Sequence, residues 1–485
     1  MSFHGAVFNE TNIQRLFGNE AAENEPIEYL RGYYFKSKAY DQVSEHLPLR
    51  VLVGNKGVGK SALFKISYDE DPSRGCMPVF IRPDDIINLA TIADKGLLEL
   101  IRDWKQGLIE IIGHKILDTF RVKSPDFAAI SNITTRFVRI ILESVRLVDD
   151  KVDLEPATKL LLKNFAANQR IVVYLDDLDR GWEGKPSDIK RISALLNAVR
   201  DLSSDNSGLM FRIALRSDVY YLVRTSDEST DKIEGSVIWY TWENQEIYVL
   251  LIKRILAFYR QRKDDADLAA MSASELSIFL DRVIEPRFHG RGRWRDIPTY
   301  RMLMSLIRKR PRDLVKLCTL AARRAYSDGA TRIQTTHFEA IFEEYSQGRI
   351  QDTINEFRSE LPQIERLLLE MKPSKKQKEA RQAYSYTTAE LLAKIRNIST
   401  TVGGFRFAYG LTAGEKELAH FLYKINFLTA WKRTEDDKIQ RKDFEQNRYI
   451  SSRFVDFGYG WEVHPAYRWA LQPDAITSIY DELSD

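Results

Sequence analysis

Residues 51–66 read VLVGNKGVGKSALFKI, and Gly54, Gly59, Lys60 and Ser61 fill every fixed position of G-x-x-x-x-G-K-[ST]. An apolar run, Val51-Leu52-Val53, precedes the glycines, and Ala62-Leu63-Phe64 follows as a helix-like opening. Strand, glycine loop and helix form the setting in which such a loop holds phosphate. The glycines let backbone N–H groups turn inward around phosphate oxygens, and the helix N-terminus adds partial positive charge. Gly54, Asn55, Lys56, Gly57, Val58, Gly59, Lys60, Ser61 and Ala62 are therefore the candidate nucleotide-binding loop. Lys60 is expected to reach the β- and γ-phosphates, and Ser61 to ligate Mg²⁺. The competing reading, a chance match in a Gly/Lys-rich turn, is weakened by correct flanks on both sides.

A second set of candidates lies at residues 170–182, RIVVYLDDLDRGW. The continuous apolar run Ile171–Leu175 fits a parallel strand covered on both faces. It ends in Asp176 and Asp177, and ligands bind beyond the carboxyl ends of strands in open α/β sheets. Asp176 is the expected Mg²⁺ ligand, directly or through water, and Asp177 is placed to orient or deprotonate an attacking water. Asp pairs also end strands simply by starting turns, a reading that the upstream phosphate loop disfavours. The next strand, Leu209–Leu215, ends at Arg216-Ser217-Asp218. Arg216 could touch the γ-phosphate from there, or could simply pair with Asp218 or Asp179. In Arg308-Lys309-Arg310-Pro311-Arg312-Asp313-Leu314, Pro311 suits a first helical turn, where its missing N–H is not needed. Arg312 would then be free to face the nucleotide. The alternative is a solvated basic face.

These groups need a scaffold. Strand, loop, helix and a second strand at 77–81 open a core over 46–235. A helical insertion is expected at about 86–168, from apolar spacing such as Ile109, Ile112, Ile116 and Phe120, then Phe137, Ile140, Ile141 and Val145. Residues 1–45 form an N-terminal segment whose Tyr33-Tyr34-Phe35 cluster reads first as packing, with cover for an adenine ring as the sharper alternative. A helical lid is expected over 236–370 and a charged linker at 371–382. The last unit, 383–485, has two helical patterns and then aromatic strands, Arg453–Val455 and Gly460–Val463, around a turn, which suggests a winged helix. His464 reads as structural, without a nucleophile or metal partner nearby.

At 485 residues the chain predicts more than one domain. A net charge of +3 removes any global polycation argument, so nucleic-acid contact would need a local patch. One exists: Arg282 to Arg324 holds 13 Lys/Arg against Glu285, Asp296 and Asp313. The cysteines, Cys76 and Cys318, stand far apart without metal spacing, which suits a reducing cytoplasm. No segment reaches about 18 uninterrupted apolar residues, so no membrane span is expected.

The combination GNKGVGKSA, VVYLDDLDRGW, ALRSD and RKRPRDL resembles bacterial P-loop ATPases of the ASCE branch, near the STAND, KAP and origin-recognition-like AAA+ proteins. The shared signature is the Asp-Asp-x-Asp-Arg Walker B, carried by Asp176, Asp177, Asp179 and Arg180. The closing GYGWEVHPAYRWAL is similar to the end of that group's winged-helix tail. The resemblance implies an α/β P-loop NTPase core with a parallel sheet and helical insertion, a helical lid and a C-terminal winged-helix-like domain. It also implies ATP binding, Mg²⁺-dependent hydrolysis, homo-oligomers set by nucleotide, and a protein effector partner in anti-phage defence. Arg180, Arg216, Arg310 and Arg312 are then candidates to offset transition-state charge. Asp177 stands where standard AAA+ proteins usually carry Glu, which implies slow hydrolysis. The spacing from Lys60 to Asp176 is long, which implies an insertion rather than a simple motor. A second hypothesis makes the chain a DNA-binding protein of replication-initiator type with a structural nucleotide site. A third makes it a scaffold for an effector. No N/T-K-x-D guanine motif follows the Walker B strand, so ATP is preferred over GTP.

Overall fold

The computed structural model describes residues 8–20, 24–90, 95–122, 170–226, 228–379, 383–408, 410, 412–434, 439–445, 458–472 and 479–480. The inner part of the expected insertion, with Phe137, Ile140, Ile141 and Val145, and the strand expected at 453–455 lie outside them. The chain forms two compact units, one of Lys38–Gly54 and Lys60–Tyr240, the other of Met1–Ser37, Asn55–Gly59 and Thr241–Asp485.

The unit of Lys38–Gly54 and Lys60–Tyr240 is built on a parallel sheet. Its strands are β1 (Leu49–Val53), β2 (Cys76–Ile81), β3 (Arg170–Leu175), β4 (Leu209–Leu215) and β5 (Val237–Trp239). They lie in the order β2-β3-β4-β1-β5. Every pairing is parallel, with Val51 opposite Ile213 and Val173 opposite both Val79 and Phe211. Successive side chains of a strand face opposite ways, and β3 uses both sides. Ile171, Val173 and Leu175 join a core with Trp104, Leu108 and Ile112 of helix Leu97–Val122 and Leu195 and Val199 of helix Pro186–Asp205. Tyr174, on the other face, packs edge-on against Phe64 of helix Lys60–Glu70, with ring centroids 5.2 Å apart. Cover on both faces explains why β3 and β4 read as near-continuous apolar runs.

One residue breaks that run. Arg212 in the middle of β4 is buried, and its hydrogen bonds go to main-chain carbonyls, with Asp71 supplying opposite charge nearby. Its guanidinium donates to the carbonyls of Val43 (2.6 Å), Glu45 (2.6 Å) and Leu47 (2.9 Å), the chain ends left open after helix Lys38–Ser44. Burial lowers its pKa to about 10. The strands expected at 77–81, 171–175 and 209–215 appear within a residue of those limits; the helical stretch expected at about 86–168 instead opens with a 3-10 turn, Pro83–Ala90, before Leu97–Val122.

The other unit is mostly helical. Helix Asn244–Phe258 carries the N-terminal helices Glu10–Phe17 and Ile27–Tyr33. Arg254 lies 4.0 Å over the Tyr33 ring and donates to the Phe17 carbonyl. Tyr33, Tyr34 and Phe35 are buried. Helix Pro311–Ser327 begins at the expected proline and packs on Thr335–Phe357. Beyond a short helix, Lys375–Glu379, inside the expected linker, helices Thr388–Val402 and Glu415–Lys424 adjoin a four-stranded antiparallel sheet. In it Gly460–Val463 pairs with Leu428–Arg433 and Ser385–Tyr386.

Candidate active site

The loop between β1 and helix Lys60–Glu70 takes its shape from glycine. Gly57 (φ 81°) and Gly59 (φ 103°) both have left-handed backbone that an L side chain rarely adopts. Gly54 N–H is held by the Leu215 carbonyl at 3.1 Å, which ties the loop's start to the end of β4. Lys60 opens the helix, and its Nζ donates back to the Gly54 carbonyl at 2.7 Å. The ammonium is thus held at the mouth of the loop it would serve.

Asp176 follows β3 directly and is 6% exposed. Burial raises its pKa; the Ser61 hydroxyl, Lys60 and the Asp177 N–H all pull the other way. The Asp177 N–H to Asp176 Oδ1 distance is 3.0 Å. Lys60, Ser61 and Asp176 are therefore brought together, as the two separate motifs required. A hydroxyl hydrogen-bonded to a buried carboxylate, beside an ammonium, is a donor set that fits Mg²⁺ with a polyphosphate: Mg²⁺ takes few protein ligands and fills its remaining positions with water and phosphate. No group of three or more His, Cys, Asp or Glu side chains able to hold a metal occurs among the described residues.

Asp177 is exposed, with φ 57°, an uncommon backbone for a residue other than glycine. Its N–H serves Asp176. Arg180 is exposed and stands 3.8 Å from Asp84. Arg216, at the tip of β4, makes a fork with Asp218 at 3.0 and 2.7 Å and lies 3.5 Å from Asp179. The ion pairs with Asp218 and Asp179 expected as one reading of Arg216 are both present.

Asn55, Lys56, Gly57, Val58 and Gly59 belong to the helical unit. There the Arg312 N–H donates to the Gly57 carbonyl at 3.3 Å, and a Cβ added to Gly57 would come 3.1 Å from the Arg312 Cβ. The Arg312 Nε donates to the Glu20 carbonyl at 3.0 Å. Trp242 Nε1 donates to the Val58 carbonyl at 2.7 Å. Asn55 donates to the Glu445 carboxylate, whose pKa is raised by burial and by Asp443. Glu445 also accepts from Asn426 at 3.2 Å. Sequence reasoning missed Trp242, Asn426 and Glu445. Asn55 and Glu445 lie 390 positions apart, and nothing in local spacing links them.

Residues 280–354 match a family described as the FunZ-associated C-terminal helical domain. Over 397 residues the chain is 22% identical to the putative transposon gamma-delta 80.3 kDa protein of Escherichia coli (strain K12), covering 74% of this chain and 54% of that protein. It thus spans about half the length of the curated relative it matches. Among solved structures, the chain is similar to the Aeropyrum pernix ORC2 protein in ADPNP–ADP complexes, with 12% identity, a TM-score of 0.42 and 92% of each chain covered. It is also similar to the A. pernix ORC1 protein in complex with DNA (10% identity, TM-score 0.35, 96% and 97% covered) and to Drosophila ORC bound to DNA (10%, 0.34, 96% and 93%).

Proposed function

We propose that this protein is an ATP-binding, Mg²⁺-dependent ATPase that acts as a nucleotide-controlled switch. The observation that carries the reading is the meeting of Lys60, Ser61 and Asp176, from two motifs far apart in sequence, beyond the carboxyl ends of β1 and β3, the two strands that flank β4 in one parallel sheet. In the proposed reaction Lys60 binds the β- and γ-phosphate oxygens, and Ser61 with Asp176 would hold Mg²⁺. Such an ion would supply positive charge to offset that of the phosphates. Asp177 orients the water for in-line attack on the γ-phosphate and accepts its proton. Arg180, Arg216 and Arg312 are the proposed sources of positive charge toward the transition state.

The wider role follows the same reading: nucleotide-dependent homo-oligomers that control a protein effector, in bacterial anti-phage defence, with 46–235 as core, 236–370 as lid and 383–485 as a winged-helix-like domain. No helix among the described residues is long and apolar enough to cross a membrane. The test is phosphate release from ATP with Mg²⁺. Lys60→Ala is expected to weaken ATP binding about 10- to 100-fold, the worth of a lost charge-assisted contact. Asp177→Asn is expected to bind ATP normally and lose about 10²–10⁴-fold in turnover. Unchanged turnover in Asp177→Asn rejects its assignment as the group acting on water; unchanged ATP affinity in Lys60→Ala rejects the loop as the binding site.

A second reading, DNA binding in the manner of a replication initiator, is favoured by one observation. Exposed arginines cluster on the hairpin at 287–298.

A further inference from the structure

The thirteen cations between Arg282 and Arg324 do not make one basic face. Arg308 is buried against Asp313 at 2.7 Å, and Arg310 is buried against Glu356 at 3.4 Å. Lys309 pairs with Asp443, Lys316 with Glu20, Arg323 with Glu10 and Arg324 with Asp328, all within 3.0 Å. Arg287 pairs with Asp296 at 3.7 Å, Arg282 donates to Gln261, Arg301 to the Tyr300 hydroxyl, and Arg312 to the Glu20 carbonyl. Arg291, Arg293 and Arg295 are left. All are exposed, and no side-chain hydrogen bond or ion pair joins any of them to another described residue.

They share one turn. Strands β6 (Arg287–His289) and β7 (Arg295–Pro298) form an antiparallel hairpin closed by the 3-10 turn Gly292–Trp294. The turn is anchored from below. Trp294 is 2% exposed, with Phe288, Phe342, Trp469 and Tyr480 ring centroids 6.0–6.3 Å away. The His289 N–H donates to Thr335 Oγ1 at 2.9 Å. Because Trp294 turns into the core, its neighbours Arg293 and Arg295 are held outward. The Trp294 N–H to Arg291 carbonyl bond, 3.0 Å, closes the turn and places Arg291 beside them.

Three unpaired guanidinium groups on a fixed backbone repel one another and gain little by staying in water. They gain most from a densely charged polyanion, and their rigid mounting lowers the ordering cost of binding. We infer that the Arg291–Arg295 tip binds the phosphate backbone of double-stranded DNA. A duplex carries one charge per roughly 1.7 Å of axis, and each phosphate neutralised releases condensed counterions. An anionic membrane is disfavoured because the hairpin's large apolar side chains, Phe288 and Trp294, face inward and leave nothing to insert. This inference rests on the DNA-binding reading above and gives it a location.

The experiment uses the full chain and a fluorescein-labelled, mixed-sequence DNA duplex, followed by anisotropy over a salt series. The triple variant Arg291→Gln/Arg293→Gln/Arg295→Gln is compared with Lys375→Gln/Lys376→Gln/Lys378→Gln, which removes the same charge from another exposed stretch. The hairpin variant should flatten the slope of log K against log [salt] by about 2–3 and weaken binding at least about 10-fold near 0.1 M salt, whereas the lysine variant should leave the slope unchanged. A thermal melt verifies that both variants are folded. DNA bound with an unaltered slope in the hairpin variant, or equal losses in both variants, overturns the location while DNA binding stands. No binding by the unaltered protein, or equal binding to anionic vesicles, overturns both. Running Lys60→Ala in parallel separates either result from the ATPase: its hydrolysis should be lost while its DNA salt slope persists.

Discussion

Asp176 and Asp177 are neighbours in sequence and opposites in setting. Asp176 is buried beneath Ser61 and Lys60, and Asp177 stands exposed on a left-handed turn. Burial raises the Asp176 pKa, so the unliganded protein holds its proton at a higher pH than an exposed carboxylate would. A metal ligand must be ionised. Mg²⁺-dependent ATP affinity should therefore fall on acidification, beginning above the ordinary carboxylate range, and Asp176→Asn should remove that fall. A titration of affinity against pH with both proteins checks it. His464 provides a second pH signature. Burial together with Arg308 and Arg468 lowers its pKa to about 3, from 6.5. The unfolded chain then takes up the proton first, so stability is full above about pH 6.5 and is lost as pH falls toward pH 3. The urea midpoint should drop over that window, and His464→Gln should flatten the drop. Both aspartates were legible in RIVVYLDDLDRGW, because an apolar strand ending in carboxylates has a local signature. The difference in their burial was not legible, since it depends on Ser61, far away in the chain.

At the scale of elements, the candidate phosphate loop is held by more than its own glycines. Trp242 grips the Val58 carbonyl and Glu445 grips Asn55. Trp242→Phe removes a buried donor while keeping most of the ring volume, and should cost about 0.5–1.5 kcal/mol of stability together with a several-fold loss of ATP affinity. Denaturant melts and ATP titrations read the two effects separately. Glu445→Ala releases Asn55 and Asn426 and should likewise alter ATP affinity; identical affinity shows that the contact does not shape the loop. The strand–loop–helix of this region could be read from VLVGNKGVGKSALFKI because each step has its own residue signal. The partners of the loop could not, because Glu445 belongs to a turn whose sequence, Asp443-Phe444-Glu445, carries no phosphate-site pattern. The basic run 282–324 misleads in the other direction. Composition counts charges, whereas folding buries Arg308 and Arg310 and pairs most of the rest.

At the scale of the whole molecule, the sheet order β2-β3-β4-β1-β5 places β4 between the strand that starts the phosphate loop and the strand that ends in Asp176. That order is not written in any one segment, although each strand is. The helical unit has its own keystone. Asp313 is buried between Arg308 and Arg349, at 2.7 and 2.6 Å, with the Tyr467 hydroxyl 2.9 Å from Arg308. The two arginines hold the Asp313 pKa far below the usual range. Asp313→Ala leaves two buried cations without their shared anion and should cost about 3–5 kcal/mol, read as a lower denaturant midpoint. The most direct test of the central claim is a titration with a slowly hydrolysed ATP analogue, with Mg²⁺ and with the metal chelated, on the unaltered protein and on Asp176→Asn. Tight binding that needs Mg²⁺ in the first and loses that need in the second is the result expected if Ser61 and Asp176 share the ion beside Lys60. Equal Mg²⁺ dependence in both proteins, or no binding by the unaltered one, contradicts it.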